Sequence, residues 1–349
     1  MTQTERGVND MWRLPSTFLP DGDERDLWVD KGRFSTNPVD GAEMLPGRFV
    51  LPGLVDAHAH VALANDQPVG APEALLGLHA MARAGVLLVR DVGAPGSVTL
   101  DIALDSMSPE FLPAGRWLAP AGRFFEAYHE PVPADALITA ALAEVARGAR
   151  WIKVVADWDT HELSYDPALL RDLIRAVHAA GARITAHIQW TRVGEVVAAG
   201  IDSIEHGCLI DDATIEVMAA NGVAWTPTLT AFNQPLPEDA PAKRRARVAQ
   251  VLDNYRRQIP QAAARGVTIL AGTDTAGTVV DEIRQLIAYG LGPVQALRAA
   301  STNARRFLGL PSFEADGPGD LTTYTDDPRE DPEVLARPVA VLRHGIRIA

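Results

Sequence analysis

The chain has 349 residues, 47% of them hydrophobic and 22% charged, with a formal net charge of -13. That balance is ordinary for a globular protein with one large core and room for a small annex. The acidity argues against nucleic acid and anionic lipid as partners. A single cysteine, Cys208, excludes an intrachain disulfide and any thiolate metal cluster. A metal site must therefore draw on His, Asp, Glu or Lys. The stretch from Met1 to Pro20 lacks a basic segment followed by an apolar core, and no apolar run is long enough to cross a membrane. The expected setting is the cytoplasm, without a membrane partner.

In chain order, Leu27-Trp28-Val29 reads as a short strand before a Lys31-Gly32 turn. Apolar runs near residues 54–60, 86–91, 116–120, 151–156, 182–188, 201–206, 223–228 and 267–273 then read as buried strands. Stretches of helical length separate them, among them 134–148, 167–181 and 240–266. Several end in Gly, the common left-handed helix stop. Val339-Ala340-Val341-Leu342 reads as a last strand before a His344-Gly345 turn. Alternation on this scale matches a closed parallel barrel. A doubly wound sheet would usually carry a Gly-rich phosphate turn after its first strand, and here that strand ends in His. The predicted fold class is α/β: a (β/α)8 TIM-like barrel over residues 51–311. A small β-sandwich annex is expected from residues 1–50 and 312–349.

The candidate chemistry lies at the strand ends. His58 and His60 are two residues apart on a strand, so both side chains point to one face. Alone that spacing is weak evidence. In barrels of this kind, however, the C-terminal ends of the strands carry the site. His187 ends the fifth predicted strand, His206 the sixth, and Asp274 the eighth. Lys153 lies inside the fourth apolar run, where an unpaired ammonium is costly. His79 and His178 fall in predicted helices and His344 in a turn, and all three read as surface or packing residues. Cys208 reads as core packing. The basic cluster Lys243, Arg244, Arg245 and Arg247 reads as a solvated helix face.

Asp56-Ala57-His58-Ala59-His60, Trp151-Ile152-Lys153-Val154, Ile184-Thr185-Ala186-His187, Ser203-Ile204-Glu205-His206-Gly207 and Ala271-Gly272-Thr273-Asp274 together resemble the metal motifs of the amidohydrolase superfamily. The set is most similar to its prolidase-like (Xaa dipeptidase) and imidazolonepropionase-related branch. The resemblance implies that His58, His60 and Asp274 hold a buried divalent ion, and His187 and His206 a more exposed one. It also implies that Lys153 is carboxylated and bridges the two. Zinc is the default pair, with manganese, cobalt or iron as alternatives. Asp274 would move the proton of a metal-bridging hydroxide to the leaving group. For the substrate pocket, His129 loosely matches a substrate-contacting histidine of the relatives, though Ala127 and Tyr128 stand where they carry glycines. Tyr128, Trp158 and His161 are further candidates, and Tyr165 and Trp190 could line the pocket or cover the barrel rim.

The function expected is hydrolysis of an amide bond in a small molecule, such as a dipeptide, an N-acyl amino acid or a cyclic amide. The same centre could serve lactones, carbamates or phosphotriesters, because the pocket rather than the ions discriminates. A mononuclear deaminase would leave Lys153 incidental. A non-catalytic scaffold should have lost ligand positions that this chain keeps. Homo-oligomerisation is left open.

Overall fold

The computed structural model describes residues 11–15 and 17–349. The parts of the expected leader reading and annex that fall on residues 1–10 and Ser16 lie outside the described residues. The molecule is a mixed α/β protein with two parallel sheets at its centre. One orders the strands Glu110–Pro113, Val86–Asp91 and Leu54–Ala59. The other orders Trp117–Leu118, Trp151–Val155, Arg183–Ile188, Ser203–His206 and Ala224–Thr226. Most residues of these strands are buried, as expected for a parallel sheet covered by helices.

Isolated parallel bridges extend both sheets. Ala94 pairs with Arg116, Trp225 with Ile269, and Ala59 with Asp274. The segment 267–274 thus touches the last strand of one sheet and the first strand of the other. Ala57 N donates to Ala271 O at 2.9 Å, Asp274 N to His58 O at 2.7 Å, and Leu270 N to Trp225 O at 2.9 Å. Gly272 permits this approach, since a Cβ there would stand 2.5 Å from His58 Cβ.

Two predicted strands differ in detail. The third, expected at 116–120, is shortened to Trp117–Leu118, which pairs with Trp151–Val155, and an unexpected strand before it, Glu110–Pro113, pairs with Val86–Asp91. Gly115, at φ 73°, turns the chain between them. The eighth makes bridges rather than a ladder, because Ala271 N bonds to Ala299 O, at the end of the helix Pro293–Ala299.

Helices cover the sheets by an apolar stripe. Pro167–Ala179 starts at Asp166, whose carboxylate accepts from Ala168 N, with Pro167 in the first turn, where its missing N–H costs nothing. It buries Leu170, Leu173, Ile174 and Val177, a three-and-four spacing that lines one face. Each such side chain contributes roughly 1.5–3 kcal/mol of apolar burial. Among the described residues no helix is long and apolar enough to cross a membrane.

The two ends of the chain meet. Leu321–Tyr324 pairs antiparallel with Phe49–Leu51, which pairs with Thr17–Phe18. Ala340–Arg343 and Ile346–Arg347 extend the same sheet. A second sheet holds Trp12–Arg13, Trp28–Asp30, Arg33–Ser35 and Glu43–Met44. Trp12, Phe18, Val29, Phe34, Phe313 and Leu342 belong to a separate apolar core. Trp12 Nε1 ties the ends together by donating to Gly345 O at 2.9 Å.

Candidate metal centre

His58 and His60 emerge from the end of Leu54–Ala59 with ring centroids 5.2 Å apart. Asp274 Oδ1 lies 3.9 Å from His58 Nε2 and 3.5 Å from His60 Nε2. Across the rim, His206 Nε2 and His187 Nδ1 face each other at 2.9 Å. Asp274 Oδ2 reaches the same side, 3.8 Å from His206 Nδ1. The nitrogens of His58 and His206 and a carboxylate oxygen of Asp274 all lie within 4.8 Å of one another.

Backbone conformation makes this convergence possible. His206 has φ 68° and Asp274 φ 58°. Both sit in the left-handed region, which costs a non-glycine residue roughly 1–3 kcal/mol and is concentrated at functional sites. In a regular strand Glu205 and His206 would point to opposite faces. The left-handed turn at His206 lets both side chains reach the interior.

Three of the four imidazoles are held from behind. His58 Nδ1 bonds Glu205 Oε2 at 2.6 Å, His60 Nδ1 bonds Gly93 O at 2.9 Å, and His206 Nδ1 bonds Thr228 Oγ1 at 2.8 Å. Such partners fix the ring and aim the other nitrogen forward. Asp91 sets the His60 side by accepting from Val61 N at 2.8 Å and Gly93 N at 3.0 Å. Asp56 fixes the Asp274 side through Thr273 Oγ1 at 2.6 Å. Burial raises both carboxyls, Asp56 to about 6 and Asp91 to about 7.

Burial drives the opposite shift in the imidazoles. His60 is lowered to about 4, His58 is lowered, and His187 and His206 fall well below the usual histidine value. The positive charge of Lys153 adds to the lowering at all four. The rings are therefore neutral, the form that can ligate a metal. Lys153 is 2% exposed. Its ammonium has no hydrogen bond or ion pair among the described residues, and burial lowers its pKa to about 8. His58 Nε2 and His187 Nε2 are buried with no partner. Orphaned donors beside neutral imidazoles and a carboxylate fit a site built for divalent cations.

A cavity of about 400 Å³ opens over this cluster. Tyr128 and Trp158 line it, together with Trp117, Phe124 and Phe125. His129 stands behind Phe124, with ring centroids 5.6 Å apart, and its Nδ1 is tied to Phe125 O. His161 is outside the cavity lining and packs on Trp190 at 4.3 Å. Tyr165 is buried and donates to Val132 O. Cys208 is fully buried beside Tyr255, its thiol pushed up to about 12, as expected of packing. Arg247 departs from the solvated-face expectation. Its guanidinium lies 3.1 Å from the centre of the Trp190 ring, because the planar cation can stack there while its neighbours stay in water.

Beneath the rim lies a network that sequence reasoning missed. Arg90 Nη2 donates to Glu205 Oε1 at 2.7 Å, Arg90 Nε to Ala57 O at 2.6 Å, and Arg90 Nη1 to Ser203 Oγ at 2.9 Å. Thr185 Oγ1 also donates to Glu205. A signal was present: Arg90 and Glu205 are opposite charges inside two buried strands, and a buried charge needs a partner.

Parallel strands that bring histidines and an aspartate together at one rim form a possible metal site of the kind hydrolases use. An amidohydrolase family model matches residues 49–344. The chain belongs to the amidohydrolase family, in its prolidase-like branch, and is a hydrolase of carbon–nitrogen bonds. Its superfamily acts on small molecules and generally uses divalent metals. An uncharacterized protein of Mycobacterium tuberculosis is 37% identical over 345 residues, 94% of this chain and 93% of that protein. Ochratoxinase of Aspergillus niger is 26% identical over 222 residues, 57% of this chain and 45% of that protein. A solved structure of A. niger ochratoxinase superposes with TM-score 0.81 at 19% identity, covering 96% of this chain and 94% of that one. A prolidase complexed with N-methylphosphonate-L-proline superposes with TM-score 0.82 at 25% identity, covering 97% and 99%.

Proposed function

We propose that the chain hydrolyses an amide bond of a small molecule at a centre for two divalent ions, zinc by default. Residues 51–311 are read as one closed (β/α)8 barrel, with residues 1–50 and 312–349 as its β-sandwich annex. His58, His60 and Asp274 would hold one ion, and His187 and His206 the other. Lys153 would join them as a carbamate. Its pKa of about 8 supports this, because only a neutral amine can add to carbon dioxide. Carboxylation would also replace an unpaired buried cation by an anionic ligand.

The observation that carries the reading is four neutral histidines around a partnerless lysine, with Asp274 within 3.5–3.9 Å of three of them. Two bound divalent ions would acidify a water and polarise the substrate carbonyl. Asp274 would accept the proton of that water and return it to the departing nitrogen. Water adds to the carbonyl carbon, the carbon–nitrogen bond breaks, and an acid and an amine leave. The rings over the site exclude bulk water and hold the substrate's apolar part.

The test is elemental analysis of protein expressed with zinc and bicarbonate, joined to an amide panel that includes dipeptides and N-acyl amino acids. Two ions per chain with turnover is the expected result. One ion, with turnover indifferent to Lys153→Ala, would favour a mononuclear deaminase. No metal and no turnover after reconstitution would sink the hydrolase mechanism.

A further inference from the structure

The cavity over the histidines is lined by rings in mutual contact. Phe125 and Trp158 lie 4.5 Å apart between centroids, Phe124 and Trp158 5.0 Å, Trp117 and Phe124 5.2 Å, and Phe125 and Tyr128 5.5 Å. No lysine or arginine is among the lining residues. Apart from Asp274, the one formally charged lining residue is Asp66, which is solvent-exposed and whose main-chain carbonyl accepts from the Tyr128 hydroxyl. Of the basic side chains nearby, Lys153 lies beneath the histidines as part of the centre itself, outside the cavity lining, and the arginines are engaged elsewhere. Arg90 is bound to Glu205 beneath the rim, Arg123 to Thr160, and Arg247 is stacked on Trp190.

A larger cavity, about 550 Å³, runs alongside between the helix Ala71–Arg83 and the turn after Thr273. It meets the first at His60, Leu63, Asp66, Asp274 and Thr275. Val61, Met81 and Val279 make its wall apolar, and it too lacks a basic side chain. A substrate carboxylate lying beyond the reacting bond would find no guanidinium or ammonium in either space. It would meet uncharged aromatic rings, which give it no counter-charge for the water it loses, and the like charge of Asp66, both unfavourable to an anion. A neutral ring would stack, and a cation would gain from both.

We propose that this site, on the amide-hydrolase reading given above, selects amides whose group lying against the rings is aromatic or cyclic and carries no negative charge. The aromatic wall and Asp66 are its specificity determinants, and a dipeptide with a free C-terminal carboxylate is a poor substrate.

Matched pairs test this: glycyl-phenylalanine and its C-terminal amide, and N-benzoylproline and N-benzoylprolinamide. With metal-loaded protein, the uncharged member of each pair should show kcat/KM at least about tenfold higher. Asp66→Asn should narrow that ratio, and Trp158→Ala should raise KM for both members. Equal or better turnover of the free acids would overturn the proposal. The selectivity is read independently by binding of the same pairs to metal-loaded Asp274→Asn protein, followed by the fluorescence of Trp117 and Trp158. Tighter binding of the uncharged members supports the proposal even if no pair is hydrolysed, an outcome that would count only against the hydrolase reading. Tighter or equal binding of the acids, or binding of neither member, overturns it.

Discussion

Two polar clusters share the interior of this molecule, one stacked on the other, and they are built to opposite rules. Below, Arg90, Glu205, Thr185 and Ser203 satisfy one another, and the ion pair of Arg90 and Glu205 is fully buried. The Arg90 guanidinium is the chief attractive partner that holds the Glu205 carboxyl well below the usual range against its burial. Above, His58 Nε2 and His187 Nε2 are buried without partners, beside the buried Lys153 side chain. His58 belongs to both, bound to Glu205 by one nitrogen and left open on the other. A completed network specifies geometry; an incomplete one leaves affinity for something outside the chain. The lower cluster is the support on which the upper one is kept open.

The largest effects should come from the upper cluster and fall on activity. Asp274→Asn keeps the side-chain shape but removes the proton acceptor. Turnover of any amide substrate should drop by about 10² to 10⁴, with the unfolding transition little moved. Lys153→Ala should lower metal content and activity together, with partial return on adding a short carboxylic acid and metal. Unchanged metal content, measured by elemental analysis, would count against the bridge. The lower cluster should answer in stability instead. Arg90→Met strands a buried carboxylate and should cost about 3–5 kcal/mol, read by urea unfolding of metal-free protein. Adding Glu205→Gln should return part of that loss, because the uncompensated charge is gone.

The sequence made the upper cluster readable and the lower one hard to see, for a physical reason. Histidine at the end of an apolar run stands out, and His58, His60, His187 and His206 became candidates because several such ends converge on one rim and match one set of family motifs. Alternation of strands and helices likewise gave the mixed α/β class. Arg90 and Glu205 lie 115 positions apart, and nothing local says that two lone charges will meet. The left-handed turns at His206 and Asp274 were also invisible, since neither residue type announces a positive φ. The aromatic wall was half legible. Tyr128 and Trp158 were candidates, whereas Phe124 and Phe125 read as ordinary apolar residues until the loop was folded over the site.

A smaller effect should distinguish burial from pairing away from the metal cluster. Glu282 is fully buried, accepting from Leu229 N at 2.9 Å, Thr230 N at 2.8 Å and Thr230 Oγ1 at 2.7 Å. Burial outweighs these bonds and raises its pKa from 4.5 to about 7. Between those values the unfolded chain has lost the proton and the folded chain keeps it. The contribution of Glu282 is therefore fully present below about 4.5 and is lost as pH rises through about 7. Relative to Glu282→Gln, wild-type stability should fall over that window by at most about 3 kcal/mol. Urea midpoints of the two proteins at pH 5 and pH 8 check the sign. A gap that widens in favour of wild type would mean that the three donors outweigh desolvation, making Glu282 kin to the lower cluster.

The smallest effect is expected at His161, whose imidazole belongs to neither cluster. It is exposed, lies against Trp190, and reaches Thr191 Oγ1 only at 3.4 Å. The ring of Trp190 also takes the guanidinium of Arg247, so losing the histidine leaves the indole one of its two partners. His161→Ala should change stability by less than about 0.5 kcal/mol and kcat/KM by less than about twofold. If kcat/KM instead fell tenfold with KM unchanged, the loop carrying His161 would have to close over the cavity during turnover. The incomplete cluster would then extend beyond the rim, drawing one more partner from a segment that rests outside it.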